Sequence, residues 1–303
     1  MDRIQEMTVF VAVAEAGSFA GAARALGVSA ATVTRGVAQL ERRLGSLLVV
    51  RNTRQLRLTE AGTRFADDAR RLLQELQEAE ESAAGVHAAP RGLLTITAPQ
   101  VFGDLHVVPA MTAYLAGHPG VDIRALLVDR VVALLEEGVD VAVRIGELPD
   151  SSMTAVPVGE IRRVVVASPD YLARHGTPAH PDELAARATI SAHGRQAGHH
   201  WRFRVDGRLH DVAVRSRLTV NSFRAAIHAA TTGAGLTQVA SYQVAEAVAA
   251  GALRAVLQDF EVEPRPVHLV YTEGRRGSRK VRSFVDFCVP RLRAALSGPA
   301  RMN

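Results

Sequence analysis

Phe19-Ala20-Gly21-Ala22-Ala23-Arg24-Ala25-Leu26-Gly27-Val28-Ser29-Ala30-Ala31-Thr32-Val33-Thr34-Arg35 decides how the chain reads, because two short helices, a glycine turn and a cap fall within it. Ser18 can cap a helix whose apolar residues Phe19, Ala22, Ala23 and Leu26 recur at helical spacing, and Gly27 supplies the backbone freedom for a tight exit. Ser29 starts the next helix. There Val33, Val37, Leu40 and Leu44 are expected to face inward, leaving Ala31, Thr32, Arg35, Gln39 and Arg42 on or beside the outer face. The pattern is a helix-turn-helix, and a small first turn followed by arginine suits entry into a DNA major groove.

Upstream, Met7, Phe10, Val11 and Ala14 give a helix from Arg3 to Ala14 with one buried stripe, ended by Ala16-Gly17. Downstream, Leu47-Leu48-Val49-Val50 and Leu56-Arg57-Leu58 are strand-like runs separated by Arg51-Asn52-Thr53-Arg54-Gln55, a winged-helix pattern. Residues 1–58 carry eight arginines against four acidic residues, so most of the chain's net charge of +5 sits with the groove-reading element. Thr59 can cap a helix running to about Val86, whose apolar residues Phe65, Ala69, Leu72, Leu76, Ala79, Ala83 and Val86 alternate steps of four and three. Such a seam fits pairing with a second copy in a coiled-coil-like dimer, which suits a module reaching two half-sites. The alternative is an amphipathic helix lying against its own domain.

With 303 residues and 32.4 kDa, the chain calls for two or three domains. Hydrophobic residues at 48% and charged residues at 22% argue against long disordered or collagen-like segments, and a pI near 10.1 suits a polyanionic partner. Cys288 is the sole cysteine, which excludes an intramolecular disulfide and a multi-cysteine zinc site and fits a reducing compartment. The start, Met1-Asp2-Arg3-Ile4-Gln5-Glu6, has no basic region leading into an apolar run, and no stretch approaches the ~18 apolar residues of a membrane span. A cytoplasmic protein without membrane contact is expected.

Ala88-Ala89-Pro90-Arg91-Gly92 reads as a hinge. Beyond it come strand-like segments at 93–97, 121–127, 139–143 and 163–167, with helices expected at 104–116 and 130–137. A second set follows, with strands near 189–190, 201–205, 212–214 and 218–220, helices at 222–232 and 241–250, a strand at 266–271 and a last helix from Arg279 to Leu296. Alternating strands and helices predict a parallel α/β sheet. The expected organisation is a winged helix-turn-helix at 1–58, a linker helix and hinge at 59–89, and an α/β region at 90–303. The last divides into subdomain I, about 90–160 and 266–303, and subdomain II, about 161–265, with crossovers near Gly159 to Arg162 and Glu263 to Pro266.

At this point the residues carry a likeness. Phe10-Val11-Ala12-Val13-Ala14-Glu15-Ala16-Gly17-Ser18-Phe19, Ala22-Ala23-x-x-Leu26, Leu40-Glu41-x-x-Leu44-Gly45, Arg51-x-Thr53-Arg54 and Leu58-Thr59-x-x-Gly62 resemble the N-terminal signature of LysR-type transcriptional regulators. Arg144-Ile145-Gly146-Glu147-Leu148, Ala167-Ser168-Pro169-x-Tyr171-Leu172, Gly235-Leu236-Thr237 and Ser241-Tyr242-Gln243-Val244 resemble that family's effector domain. Ala30-Ala31, Thr34 and Asn52 depart from the commoner pattern and bear on which bases are read. The resemblance implies two Rossmann-like subdomains similar to a periplasmic binding protein, with a small-molecule effector between them and no other cofactor. It also implies dimers or tetramers on an interrupted palindrome of double-stranded DNA, with RNA polymerase as a further candidate partner.

The candidate DNA contacts are Ser29, Thr32, Thr34, Arg35 and Gln39 on the second helix, with Arg51 and Arg54 in the wing. Arg35 can donate twice to guanine, Thr32 can touch a thymine methyl or a phosphate, and the wing arginines suit the backbone or minor groove. The plainer alternative for each arginine is a solvated surface charge. In the α/β region, Thr97, Pro99, Gln100 and Val101 follow the first strand and open a helix whose free N–H groups favour an anion. Asn221 and Ser222 occupy the equivalent junction of the second subdomain. Arg144, Gly146, Ser191 and Gly235 join these by family position. Thr97, Asn221 and Ser222 can equally be helix caps.

An enzyme is the first rival, and no nucleophile elbow, phosphate-binding loop or dinucleotide fingerprint is present. His193, His199 and His200 lack a cysteine or carboxylate at ligand spacing, Cys288 lies among Phe284, Phe287 and Leu292, and Glu136 and Glu137 diverge on a helix. The second rival, a solute-binding protein using its first 90 residues only to oligomerise, conflicts with the basic winged helix and the absent export signal.

Overall fold

A computed structural model describes residues 1–52, 55–83, 89–148, 153–192, 200–272 and 278–297. The chain divides into two compact units, Met1–Gly92 and Leu93–Asn303.

The first unit opens with α1 (Arg3–Ala16), α2 (Phe19–Leu26) and α3 (Ala30–Leu44). Each begins on a side-chain cap, Asp2, Ser18 and Ser29, and each ends on a glycine in the left-handed region, Gly17, Gly27 and Gly45. β1 (Val49–Asn52) and β2 (Gln55–Leu58) pair antiparallel, and α4 (Glu60–Ala83) follows. Phe10, Val13, Ala22, Val33, Val37 and Leu40 form the core, closed by Leu48 and by Ala66 of α4. Leu44, expected inside, is 38% exposed, because the last turn of α3 runs past that core. Glu6 is buried and meets Arg43 at 2.9 Å, tying α1 to α3.

In the second unit, β3 (Gly92–Ala98), a helical stretch of α5 (Gln100–Phe102), a π-helical turn (Gly103–Val107) and α6 (Val108–Gly117), then β4 (Val121–Leu127), β5 (Val141–Ile145) and β6 (Met153–Ile161) build the first subdomain. The second holds β7 (Arg163–Ala167), α7 (Pro169–His175), β8 (Thr189–Ala192), β9 (His200–Val205), β10 (Arg208–Ala213), β11 (Ser216–Val220), α8 (Phe223–Thr231), β12 (Leu236–Ala240), α9 (Ser241–Ala249) and β13 (Arg254–Val256). β14 (Arg265–Thr272) and α10 (Arg279–Leu296) return to the first.

The first sheet runs β4-β3-β5-β14-β6 and the second β11-β8-β12-β7-β13, while β9 and β10 form a separate hairpin that buries Trp201 and Phe203. Both large sheets are mixed, where strand and helix alternation predicted a parallel one. β14 runs antiparallel to β5 and β6, and β7 antiparallel to β12 and β13. These are the strands by which the chain enters each sheet from the other subdomain, so they start where the parallel strands end. A second correction concerns 130–137, where bends and turns replace the expected helix. Val132 and Leu134 point inward while Val131 and Leu135 are 85% and 69% exposed, and Arg130 closes the loop on Glu137. Among the described residues no helix is long and apolar enough to cross a membrane.

Candidate functional site

The first unit presents α3 as its reading surface. Ser29 Oγ accepts from the Thr32 amide at 3.1 Å and lies 2.8 Å from Thr32 Oγ1, so these two hydroxyls define the helix start. Ser29, Ala30, Ala31 and Arg35 are exposed, and Thr32, Thr34 and Gln39 are half-buried beside them. The far end of α3 carries Glu41, whose Oε1 accepts from the Leu48 and Val49 amides at 2.8 and 3.1 Å and holds the wing to the helix. Arg51 lies on β1 opposite Leu56, and Arg54 falls outside the described residues.

The second unit holds a cavity of about 680 Å³ between its two subdomains. One wall comes from the ends of β3, β4 and β5, with Thr97, Pro99, Val128 to Glu136 and Arg144. The opposite wall comes from Arg163, Phe223, Ala240, Tyr242 and Gln243, with Arg265 at the start of β14. Contacts cross between the subdomains nearby: Arg224 Nη2 reaches Asp104 Oδ2 at 2.6 Å, and Tyr242 packs edge-on to Phe102 at 5.3 Å and to His106 at 5.7 Å. Burial, reinforced by Asp129, pushes the Tyr242 hydroxyl above the ordinary tyrosine range, so that it stays a neutral donor.

Of the residues singled out in the sequence, Thr97, Pro99 and Arg144 line this cavity. Thr97 donates to the Leu126 carbonyl at 2.8 Å, and Arg144 Nη2 donates to that of Val132. Burial lowers the Arg144 pKa, with Glu137 opposing. The Gln100 amide, expected to attract an anion, donates at 3.0 Å to Asp129, so an internal carboxylate already occupies that place. Val101 is buried behind it. Ser222 caps α8 through the Ala225 amide, Ser191 Oγ meets Ser216 Oγ, and Gly235 sits where a β-carbon would crowd the Ala188 backbone. These three and Asn221 are not part of the cavity wall. Gly146 stands beneath the Arg265 guanidinium.

Sequence reasoning missed Asp129, Arg163 and Arg265 as site residues. For the arginines the available signal was a charged residue entering each crossover strand, at Ile161-Arg162-Arg163 and Arg265-Pro266. The histidine group cannot be assembled, since His193 and His199 fall outside the described residues, and no metal-holding cluster occurs among those described.

Residues 4–63 match the family model for the bacterial regulatory helix-turn-helix protein of the lysR family, and residues 87–293 match the LysR substrate binding domain. The chain belongs to the LysR family of transcriptional regulators. An HTH-type transcriptional regulator from Xanthomonas campestris pv. campestris is 35% identical to this LysR-type regulator over 95% of the chain and 85% of the relative. The structure of CrgA, a LysR-type transcriptional regulator from Neisseria meningitidis, is 31% identical, covers 95% of this chain and 98% of that one, and has a TM-score of 0.62. The full-length Vibrio cholerae virulence activator AphB is 28% identical, with coverage of 95% and 99% and a TM-score of 0.60. Like these regulators, the chain joins a DNA-binding helix-turn-helix to an effector-binding domain, and the family is not enzymatic.

Proposed function

We propose that this regulator acts in the cytoplasm as a dimer or tetramer on an interrupted palindrome, and that a small anionic effector in the cleft changes how it sits there. α4 carries the reading. Its seam starts against the first unit's own core at Phe65 and is buried at Ala69, but Leu72 and Leu76 on the same seam are 49% and 37% exposed. A second α4 covering them brings a second α3 within reach of the same duplex. Closure of the subdomains around the effector reorients the paired readers through the 88–92 hinge, of which Ala88 lies outside the described residues, and so alters promoter access for RNA polymerase. The cycle needs no resident cofactor or metal.

Light scattering on the full chain and on a Leu72→Asp/Leu76→Asp variant tests the assembly. A dimer or larger species that the double substitution dissociates, with loss of cooperative binding to promoter DNA, is expected. A wild-type monomer at micromolar concentration would sink the paired reading.

A further inference from the structure

We infer that Arg163 and Arg265 form a carboxylate receptor at the hinge of the cleft, taking a small amphipathic acid whose anionic head sits between the two guanidinium groups. The inference rests on the effector-cleft reading and names the ligand's chemical class.

Arg163 begins β7, paired with Ala240, and Arg265 begins β14, paired with Ile161. The two crossover strands therefore deliver one cation each to the wall of the same cavity. Arg162, the residue just before Arg163, is neutralised by Glu261 at 2.9 Å. Among the described residues neither the Arg163 nor the Arg265 side chain has a hydrogen-bond or ion-pair partner. Burial, and after it the neighbouring charge of Arg265, lowers the Arg163 pKa. Two like charges on one cavity wall, neither paired with a carboxylate, repel each other, and a carboxylate bridging two guanidinium forks supplies the compensating charge with charge-assisted hydrogen bonds. The remaining wall is mixed: Asp129, Arg130 and Glu147 give it charge, while Val131, Leu135, Leu148 and Met153 supply an apolar part on which a hydrocarbon or aromatic ligand body can lie.

The probes are sodium salts of straight-chain acids from acetate to octanoate, benzoate and phenylacetate, each against its neutral amide, with sulfate as a bare anion. Calorimetry on the full chain reads binding, and gel shift with upstream DNA is run on the same samples. At least one carboxylate is expected to bind tenfold or more tightly than its amide and than sulfate. Arg163→Gln and Arg265→Gln should each weaken it at least tenfold, with melting temperatures at or above wild type because the like-charge repulsion is relieved. Arg163→Lys, which keeps the charge but loses the fork, should give an intermediate loss. If no carboxylate in the panel depends on the two arginines while specific DNA binding persists, the receptor is overturned and the regulator stands. Equal binding of sulfate overturns the amphipathic assignment. Loss of specific DNA binding in the wild type instead removes the regulator reading itself.

Discussion

Arg265 lies over Gly146, its Cζ only 3.0 Å from where a β-carbon on that glycine would stand. Gly146 has φ +110°, a backbone state that side chains rarely adopt, and its amide donates at 2.8 Å to the Pro266 carbonyl beside the arginine. The glycine after β5 thus makes room for the cation that opens β14. Gly146→Ala should move the guanidinium out of the cleft and strain the loop by about 1–3 kcal/mol. Weaker binding of arginine-dependent carboxylates with retained DNA affinity is the expected result in parallel titrations.

Gly62 occupies an even tighter position. A β-carbon there would overlap the Leu48 carbonyl oxygen and stand 2.9 Å from its carbon, while Thr59 Oγ1 accepts from the Gly62 amide at 2.9 Å and donates to Leu47 at 2.8 Å. The Leu58-Thr59-x-x-Gly62 spacing therefore has a physical cause: the start of α4 docks directly on the wing backbone. Gly62→Ala should cost about 2–3 kcal/mol and Thr59→Ala about 1 kcal/mol, read from urea unfolding of the first unit's signal.

Arg35 and Arg51 should separate specificity from affinity. Arg35→Ala is expected to reduce the preference for promoter over scrambled DNA by about 1–3 kcal/mol. Arg51→Ala should weaken both sequences alike and lower the salt slope by about one. Anisotropy titrations at several salt concentrations distinguish the two; an unchanged slope would remove Arg51 from the backbone contacts.

Cys288 gives a pH signature. Burial pushes its thiol up to about 12, slightly offset by Arg291, against about 9 for the ordinary group. The folded pKa is raised, so this stabilising contribution is complete below pH 9 and declines as the pH climbs toward 12. Between pH 8 and pH 10.5 the urea midpoint of Cys288→Ala should fall less than that of the wild type. Native protein should also resist a thiol reagent until unfolded.

The first unit was legible because its signals are local. Ser18, Gly27, Ser29 and Gly45 each cap or end a helix by their own chemistry, and the core residues follow one helical period. Leu44 shows the limit, since periodicity continues past the point where neighbours stop covering it. β6 escaped notice because Pro157 and Gly159 interrupt it, which an edge strand tolerates. The turns at 130–137 contain helix-like apolar residues, but the Arg130–Glu137 pair and Gly138 at φ +64° fold them into a loop. The cleft was least legible: Asp129, distant in sequence, accepts from the Gln100 amide, and Arg163 and Arg265 share one cavity wall because β14 starts beside Ile161, two residues before β7.

Most directly, binding of the full chain to the DNA upstream of its own gene, followed by gel shift and nuclease footprinting against excess unrelated DNA, tests whether α3 is a sequence reader. Saturable, competitor-resistant binding that protects two half-sites in related registers, and that Arg35→Ala abolishes, is the predicted result. Binding that unrelated DNA competes equally, with no footprint and no effect of Arg35→Ala, would contradict it.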